Sequence, residues 1–212
     1  MKIVFCLPAA NFSGKFLDCW TNLLFYCQKE GIEIILSNVS NCNIYDARNL
    51  SLGGHVTAGI NQKPLGGIDY DYIMWIDSDI IFTPLHFQLL LGSDKDIVCG
   101  LYLLENGTNF AACQDYDIEF FRKTGNFPLM LRHEIPTDIF KVFFSGLGFS
   151  LIRRGVFEKI KYPWFPGTSY ELNELKDFTM DDVGFCWKAQ SANFNIFVNP
   201  KVIVGHEKKL IL

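Results

Sequence analysis

The amino-acid sequence predicts an α/β fold organised around a mostly parallel central sheet flanked by helices. Three observations carry that expectation. Short apolar runs alternate with longer amphipathic stretches through the first half of the chain. The apolar runs lack the in–out alternation of a half-exposed strand and read as strands covered on both faces. The length, 212 residues, suits one domain that buries roughly 70% of its unfolded surface and needs no metal or disulfide staple.

The elements follow in order. Lys2–Leu7 is a buried parallel strand closed by Pro8. Ser13 offers an N-cap to an amphipathic helix carrying Phe16, Leu17, Trp20, Leu23, Leu24 and Cys27, which stops at Gly31. Residues 32–36 predict a second buried strand, and residues 43–52 a helix ended by Gly53 and Gly54. Tyr72–Ile76 is a third strand and residues 96–101 a fourth, with a short helix after Thr83-Pro84 between them. Strand–helix–strand repetition implies parallel pairing through right-handed crossovers. Residues 139–144 and 149–152 predict strands joined through Ser145-Gly146-Leu147-Gly148, with a short helix over 155–160. A helix is expected over 181–192, then short strands over 196–198 and 202–204. Residues 125–136 and 166–178 mix Pro, Gly and charge and predict mobile functional loops. No internal repeat divides the chain, so one domain is expected over 1–212, with a nucleotide-type half over about 1–102 and a mixed half over about 103–212.

Composition excludes several classes. Hydrophobic residues at 49% and charged residues at 20% are incompatible with disorder. A net charge of -4 argues against broad binding to a nucleic-acid backbone, yet allows a local acidic cluster that collects a metal. The cysteine count, seven, is odd, and Cys6, Cys19, Cys27, Cys42, Cys99, Cys113 and Cys186 form no C-x-x-C pair. Small apolar roles in a reducing compartment are expected for them. The N-terminus is too quickly broken for a secretory segment, and no run approaches the ~20 apolar residues of a membrane span. A cytoplasmic protein without an address label follows. The chain ends six residues past His206, which suggests one domain of a longer polypeptide.

Three local features bear chemistry. Asp77-Ser78-Asp79 follows the third strand directly. With an extended backbone both carboxylates share one face, just outside the carboxyl end of a parallel strand, where open sheets bind ligands. Two such oxygens suit Mg2+ or Mn2+ bridging a diphosphate, although two solvated turn aspartates also fit the pattern. Asp181 and Asp182 open a helix behind Thr179, where capping and the helix dipole explain them as well as a general base would. His206 follows the strand at 202–204 and gains interest only as a partner to a carboxylate. His55, His86 and His133 have no such context.

The order of motifs is more specific than any one of them. The opening strand ending in Leu7-Pro8-Ala9 is followed by Asp46-Ala47-Arg48-Asn49, Trp75-Ile76-Asp77-Ser78-Asp79 and Ile97-Val98-Cys99-Gly100-Leu101-Tyr102. Next come Gly146-Leu147-Gly148 running on to Arg154, Tyr162-Pro163-Trp164-Phe165, Asp181-Asp182-Val183-Gly184 and Val204-Gly205-His206. This series resembles the nucleotide-sugar glycosyltransferases of the GT-A (Rossmann-like) fold along nearly the whole chain. The compact, phenylalanine-rich sequence is also similar to glycosyltransferase domains encoded by large algal viruses (chloroviruses), which would place it in a host cytoplasm.

The resemblance implies a sugar moved from a nucleotide-diphosphate donor, UDP-type favoured, to a hydroxyl of a glycan or glycoprotein, with Mn2+ or Mg2+ as cofactor. Residues 1–102 would hold the donor and residues 103–212 the acceptor. Asp77, Ser78 and Asp79 match the D-x-D motif, whose last carboxylate normally binds metal, so Asp79 leads Asp77 as a ligand and His206 matches the histidine that joins them. Asp181 and Asp182 match a Glu-Asp pair, whose second acid is usually the base in inverting members; Asp for Glu at 181 departs from the pattern. Pro8, Ala9 and Asn11 fall where the family holds base and ribose, and Arg48 where a basic residue approaches the nucleotide. The loop over 166–178 is expected to be a lid. Trp164, Phe165 and Trp187 fit either stacking on a sugar or core packing.

Two other functions are compatible with parts of the pattern. A sugar nucleotidyltransferase would want a basic Gly-rich loop after the first strand, where residues 8–15 hold one Gly and one Lys. A non-catalytic nucleotide-sugar or glycan-binding module would leave both acidic pairs and His206 without a role. A Rossmann dehydrogenase is disfavoured, because no G-x-G-x-x-G follows the first strand.

Overall fold

The computed structural model describes residues 1–41, 43–172 and 174–208. Elements run in the order β1 (Lys2–Leu7), α1 (Gly14–Lys29), β2 (Glu33–Asn38), α2 (Ile44–Ser51), β3 (Tyr72–Ile76), β4 (Ile80–Ile81), α3 (Pro84–Leu91) and β5 (Ile97–Leu101). The second half adds β6 (Ala112–Cys113), α4 (Ile118–Thr124), β7 (Phe140–Val142), β8 (Phe144–Ser145), β9 (Phe149–Arg153) and α5 (Val156–Lys159). It closes with β10 (Ser169–Leu172), β11 (Leu175–Phe178), α6 (Asp181–Ser191), β12 (Ile196–Ile203) and β13 (Gly205–His206). Among the described residues no helix is long and apolar enough to cross a membrane.

Seven strands form the central sheet in the order β2-β1-β3-β9-β5-β12-β7. Five point the same way; β9 and β7 run opposite. The mostly parallel α/β sheet expected from the sequence is therefore present, with one antiparallel strand, β9, inserted between β3 and β5. Side chains alternate across it as the period-2 geometry of strands demands. Ile3, Phe5, Leu7, Met74 and Ile76 pack on one face with Phe16, Leu23, Phe87 and Leu90 of α1 and α3. Val4, Cys6, Ile73 and Trp75 pack on the other with Phe157, Val183 and Phe185 of α5 and α6. Both faces are covered, which is why the strands read as continuous apolar runs.

Several local expectations are corrected. The strand expected over 32–36 is not buried: β2 is the sheet edge, paired to β1 alone, and Leu36 is exposed. The two strands expected over 196–198 and 202–204 are one, β12, whose register against β5 shifts between Val198 and Ile203. Pro200 lies in that interval and has no N–H to donate to a ladder. Thr179 does not cap α6. Met180 is the cap residue, without a side-chain bond, and the Thr179 hydroxyl instead accepts from the Thr168 N–H at 3.2 Å. That bond ties the base of an antiparallel hairpin, β10–β11, where a loop was expected over 166–178. By contrast Ser13 caps α1 as predicted, accepting from the Phe16 N–H at 3.1 Å. Cys6, Cys19, Cys27, Cys99, Cys113 and Cys186 are buried thiols; Cys42 lies outside the described residues.

Candidate active site

The carboxyl end of the sheet gathers the acidic residues. The chain leaves β3 through a turn rather than as an extended strand: the Ile80 N–H donates to the Asp77 carbonyl at 3.1 Å. Asp77 and Asp79 nevertheless line one cavity, joined there by Tyr102, Asp182 and His206. The Asp77 N–H is anchored on the Gly148 carbonyl at 2.9 Å, so the turn is held against the start of β9.

Arg48 from α2 is buried between the two acidic pairs. Its Nε donates to Asp181 at 2.5 Å, and its Nη2 donates to both Asp77 carboxylate oxygens at 3.1 and 3.2 Å. The guanidinium also lies 5.2 Å from the Trp75 ring centroid and 5.9 Å from that of Phe165. Burial pulls its proton affinity down, but Asp77 and Asp181 more than restore it and hold it above the ordinary value. Burial also pushes the Asp77 carboxyl above its usual range, with Arg48 opposing. The resemblance implies that Arg48 approaches the nucleotide; within the chain it bridges α2, the turn after β3 and the start of α6.

Asp79 has different company. The pairing of β13 with β4 sets His206 opposite Ile80, and the Glu207 N–H donates to the Asp79 carbonyl at 2.6 Å. His206 Nε2 reaches Asp79 Oδ2 at 3.0 Å, while Nδ1 lies 2.6 Å from the Leu103 carbonyl. A carbonyl only accepts, so Nδ1 carries the proton. In the neutral ring Nε2 then presents a lone pair to a carboxylate, an arrangement that needs either a second proton or a shared cation. Lys208 supplies a cation beside it, with Nζ 2.9 Å from the same Oδ2. Burial works against the Asp79 anion, but His206 and Lys208 overcome it and hold the carboxyl at about 2. The Asp79 carboxylate in turn raises His206 above its usual value.

Among the described residues, no three or more His, Cys, Asp or Glu side chains gather as a complete metal ligand set. Asp79 and His206 supply two donors 3.0 Å apart, the separation of adjacent corners in an octahedron with ~2.1 Å metal–ligand bonds. They fit a divalent cation that takes its remaining ligands from a substrate and water.

Asp182 lies on the other side of the cavity, at the start of α6. Its Oδ1 accepts from the Val183 N–H at 2.7 Å. Burial and then the neighbouring Asp181 raise its carboxyl to about 7. The cavity, about 470 Å³, continues past these groups between Phe121, Phe127, Phe144, Tyr170 and Phe178. A second cavity of about 450 Å³ shares Asp79 and is lined by Ala9, Asn11, Ser13 and Ser78. Pro8 stands at the exit of β1 in a turn whose Leu7 and Ala9 carbonyls accept from Asn38 Nδ2, and does not line that cavity. Trp164 and Phe165 are core residues; Trp187 is half-buried against Phe143 and Tyr170.

Sequence reasoning passed over two residues here. Tyr102 lines the cavity that holds Asp79 and Asp182 immediately after β5, the same strand-end position that singled out Asp77. Lys208 stands two residues past His206, and its contact with Asp79 depends on a long-range pairing with no local signal.

No protein-family model matches the chain, and no curated protein matches it in sequence. Solved structures do match. A197 from STIV aligns over 99% of this chain and 87% of its own, with a TM-score of 0.60 and 19% identity. GalNAc-T7, crystallised with UDP, GalNAc and Mn2+, aligns over 99% of this chain but 43% of its own, at TM-score 0.59 and 10% identity. The catalytic domain of Drosophila β1,4-galactosyltransferase 7, in complex with xylobiose, aligns over 98% and 71%, at 0.51 and 12%. These identities establish the fold alone: the chain has the GT-A-like fold of the glycosyltransferases.

Proposed function

We propose that the chain is a metal-dependent, inverting glycosyltransferase that moves a sugar from a nucleotide-diphosphate donor, UDP-type favoured, to a hydroxyl of a glycan or glycoprotein. One observation carries this reading: Asp79 and Asp182 share a cavity at the carboxyl end of the sheet, one held at about 2 and the other raised to about 7. Such divergence marks different duties for two like residues. The fold supports it, as does a GT-A neighbour crystallised with UDP and Mn2+.

Asp79 and His206 would hold the cation, with Asp77 braced behind them by Arg48. A divalent ion there would offset the charge that develops on the leaving diphosphate. Asp182 would take the proton from the acceptor hydroxyl, whose oxygen forms the new bond to the sugar's anomeric carbon. The old carbon–oxygen bond breaks, and its electron pair leaves with the diphosphate. A carboxyl raised to about 7 is matched to this work near neutral pH. Asp181, engaged by Arg48, would orient rather than accept. Ala9, Asn11 and Ser78 border the cavity assigned to base and ribose, with Pro8 shaping their loop. The aromatic walls suit the apolar face of an acceptor sugar. Buried thiols suit a reducing cytoplasm.

The test is transfer or slow hydrolysis of nucleotide-sugars with Mn2+. Turnover that vanishes in Asp182→Asn while donor binding persists supports the assignment. Full turnover in that variant rules Asp182 out as the base.

A further inference from the structure

We propose that the Tyr102 hydroxyl, paired with Asp77, grips a hydroxyl group of the donor's sugar and so selects which sugar is bound. The proposal rests on the glycosyl-transfer reading above and adds a residue and a chemical target to it.

Tyr102 follows β5 and is only 9% exposed. Its ring meets the His206 ring edge-on, with centroids 5.0 Å apart. The hydroxyl oxygen accepts from the Gly148 N–H at 3.3 Å, and among the described residues its proton is donated to no acceptor. A buried O–H without an acceptor is costly, and this one borders the cavity that holds Asp77, Asp79, Asp182 and His206.

The backbone opposite is kept bare around this oxygen. A Cβ on residue 146 would lie 2.1 Å from the Tyr102 hydroxyl, a contact that no side chain tolerates. A Cβ on residue 148 would lie 3.1 Å from both the Tyr102 hydroxyl and Asp77 Oδ2. Both oxygens therefore sit no more than about 6 Å apart, and one intervening oxygen with two hydrogen bonds of about 2.8 Å bridges separations up to about 5.6 Å. One side offers a proton and the other accepts one. A sugar hydroxyl satisfies both at once, because it accepts and donates. A phosphate oxygen only accepts and would be repelled by Asp77.

Calorimetry with Mn2+ tests this with UDP and GDP as sugar-free ligands, against UDP-glucose, UDP-galactose, UDP-N-acetylglucosamine and GDP-mannose. Tyr102→Phe should leave nucleotide diphosphate affinity within about twofold and weaken the preferred nucleotide-sugar about fivefold or more. Gly148→Ala, which crowds the same two oxygens while keeping the phenol, should reproduce that selective loss. Equal weakening of diphosphate and nucleotide-sugar, or no weakening of either, overturns the role of Tyr102. If the unaltered chain binds none of these ligands, the glycosyl-transfer reading falls first and this proposal with it.

Discussion

The corner around Asp79 and the corner around Asp182 are built from the same side chain and reach opposite states. Asp79 faces His206 and Lys208 and is held at about 2; Asp182 faces Asp181 across a desolvated helix start and is raised to about 7. Their sequence neighbours, Asp77 and Asp181, are both taken by Arg48. Each acidic pair is thus divided into one member paired with Arg48 and one that is not. Residue type and spacing do not reveal that division; the position of a single buried guanidinium does.

The largest expected effect falls on the Asp182 corner. Asp182→Asn should lower turnover about 10³-fold, the scale of a lost general base, with donor binding nearly intact. In the unaltered chain the rate should rise with pH through about 7, because Asp182 must be deprotonated to accept a proton. A pH-rate profile that is flat between pH 5 and 8 would assign the base elsewhere.

Removing the divider comes next. Arg48→Ala strands Asp77 and Asp181 without their shared cation, and breaking a buried pair costs about 3–5 kcal/mol. For a chain of this length that corresponds to a Tm about 10 °C lower by calorimetric melting. Arg48→Lys should recover little, since an ammonium cannot reproduce the forked contacts.

A subtler expectation concerns pH and stability at Asp182. Its proton is held up to about 7 in the folded chain and released near ~3.9 in the unfolded one. The stability it contributes is therefore complete below about pH 4 and lost as pH rises through about 7. Asp182→Asn, which cannot ionise, should raise Tm by a few degrees at pH 8 relative to the unaltered chain and change it little at pH 4. The smallest effect is expected at Lys208, whose contact with Asp79 is partly exposed. Lys208→Ala should shift Tm by less than about 2 °C, as exposed pairs contribute under about 1 kcal/mol.

Much of the fold was legible because it depends on local patterns. Lys2–Leu7 and Tyr72–Ile76 were readable as strands from their apolar runs, and Ser13 as a cap from its position before an amphipathic stretch. The insertion of β9 between β3 and β5 was not, since strand order is a long-range choice with no signature in either segment. At the site, Asp77, Asp79, Asp182 and His206 were found as strand and helix termini, and all four line one cavity. Asp77 and Asp79 reach it through a turn, not along the extended backbone that the strand pattern predicts. The bridging of Arg48 and the proximity of Tyr102 to Asp77 arise from packing between α2, β3, β5 and β9, so neither could be read along the chain.

Binding of UDP by titration calorimetry, with and without Mn2+, separates the two corners in one experiment. The account predicts that Mn2+ strengthens UDP binding about tenfold or more in the unaltered chain and in Asp182→Asn, and that Asp79→Ala loses this gain. Equal UDP affinity with and without Mn2+, or a gain that survives in Asp79→Ala, would contradict it.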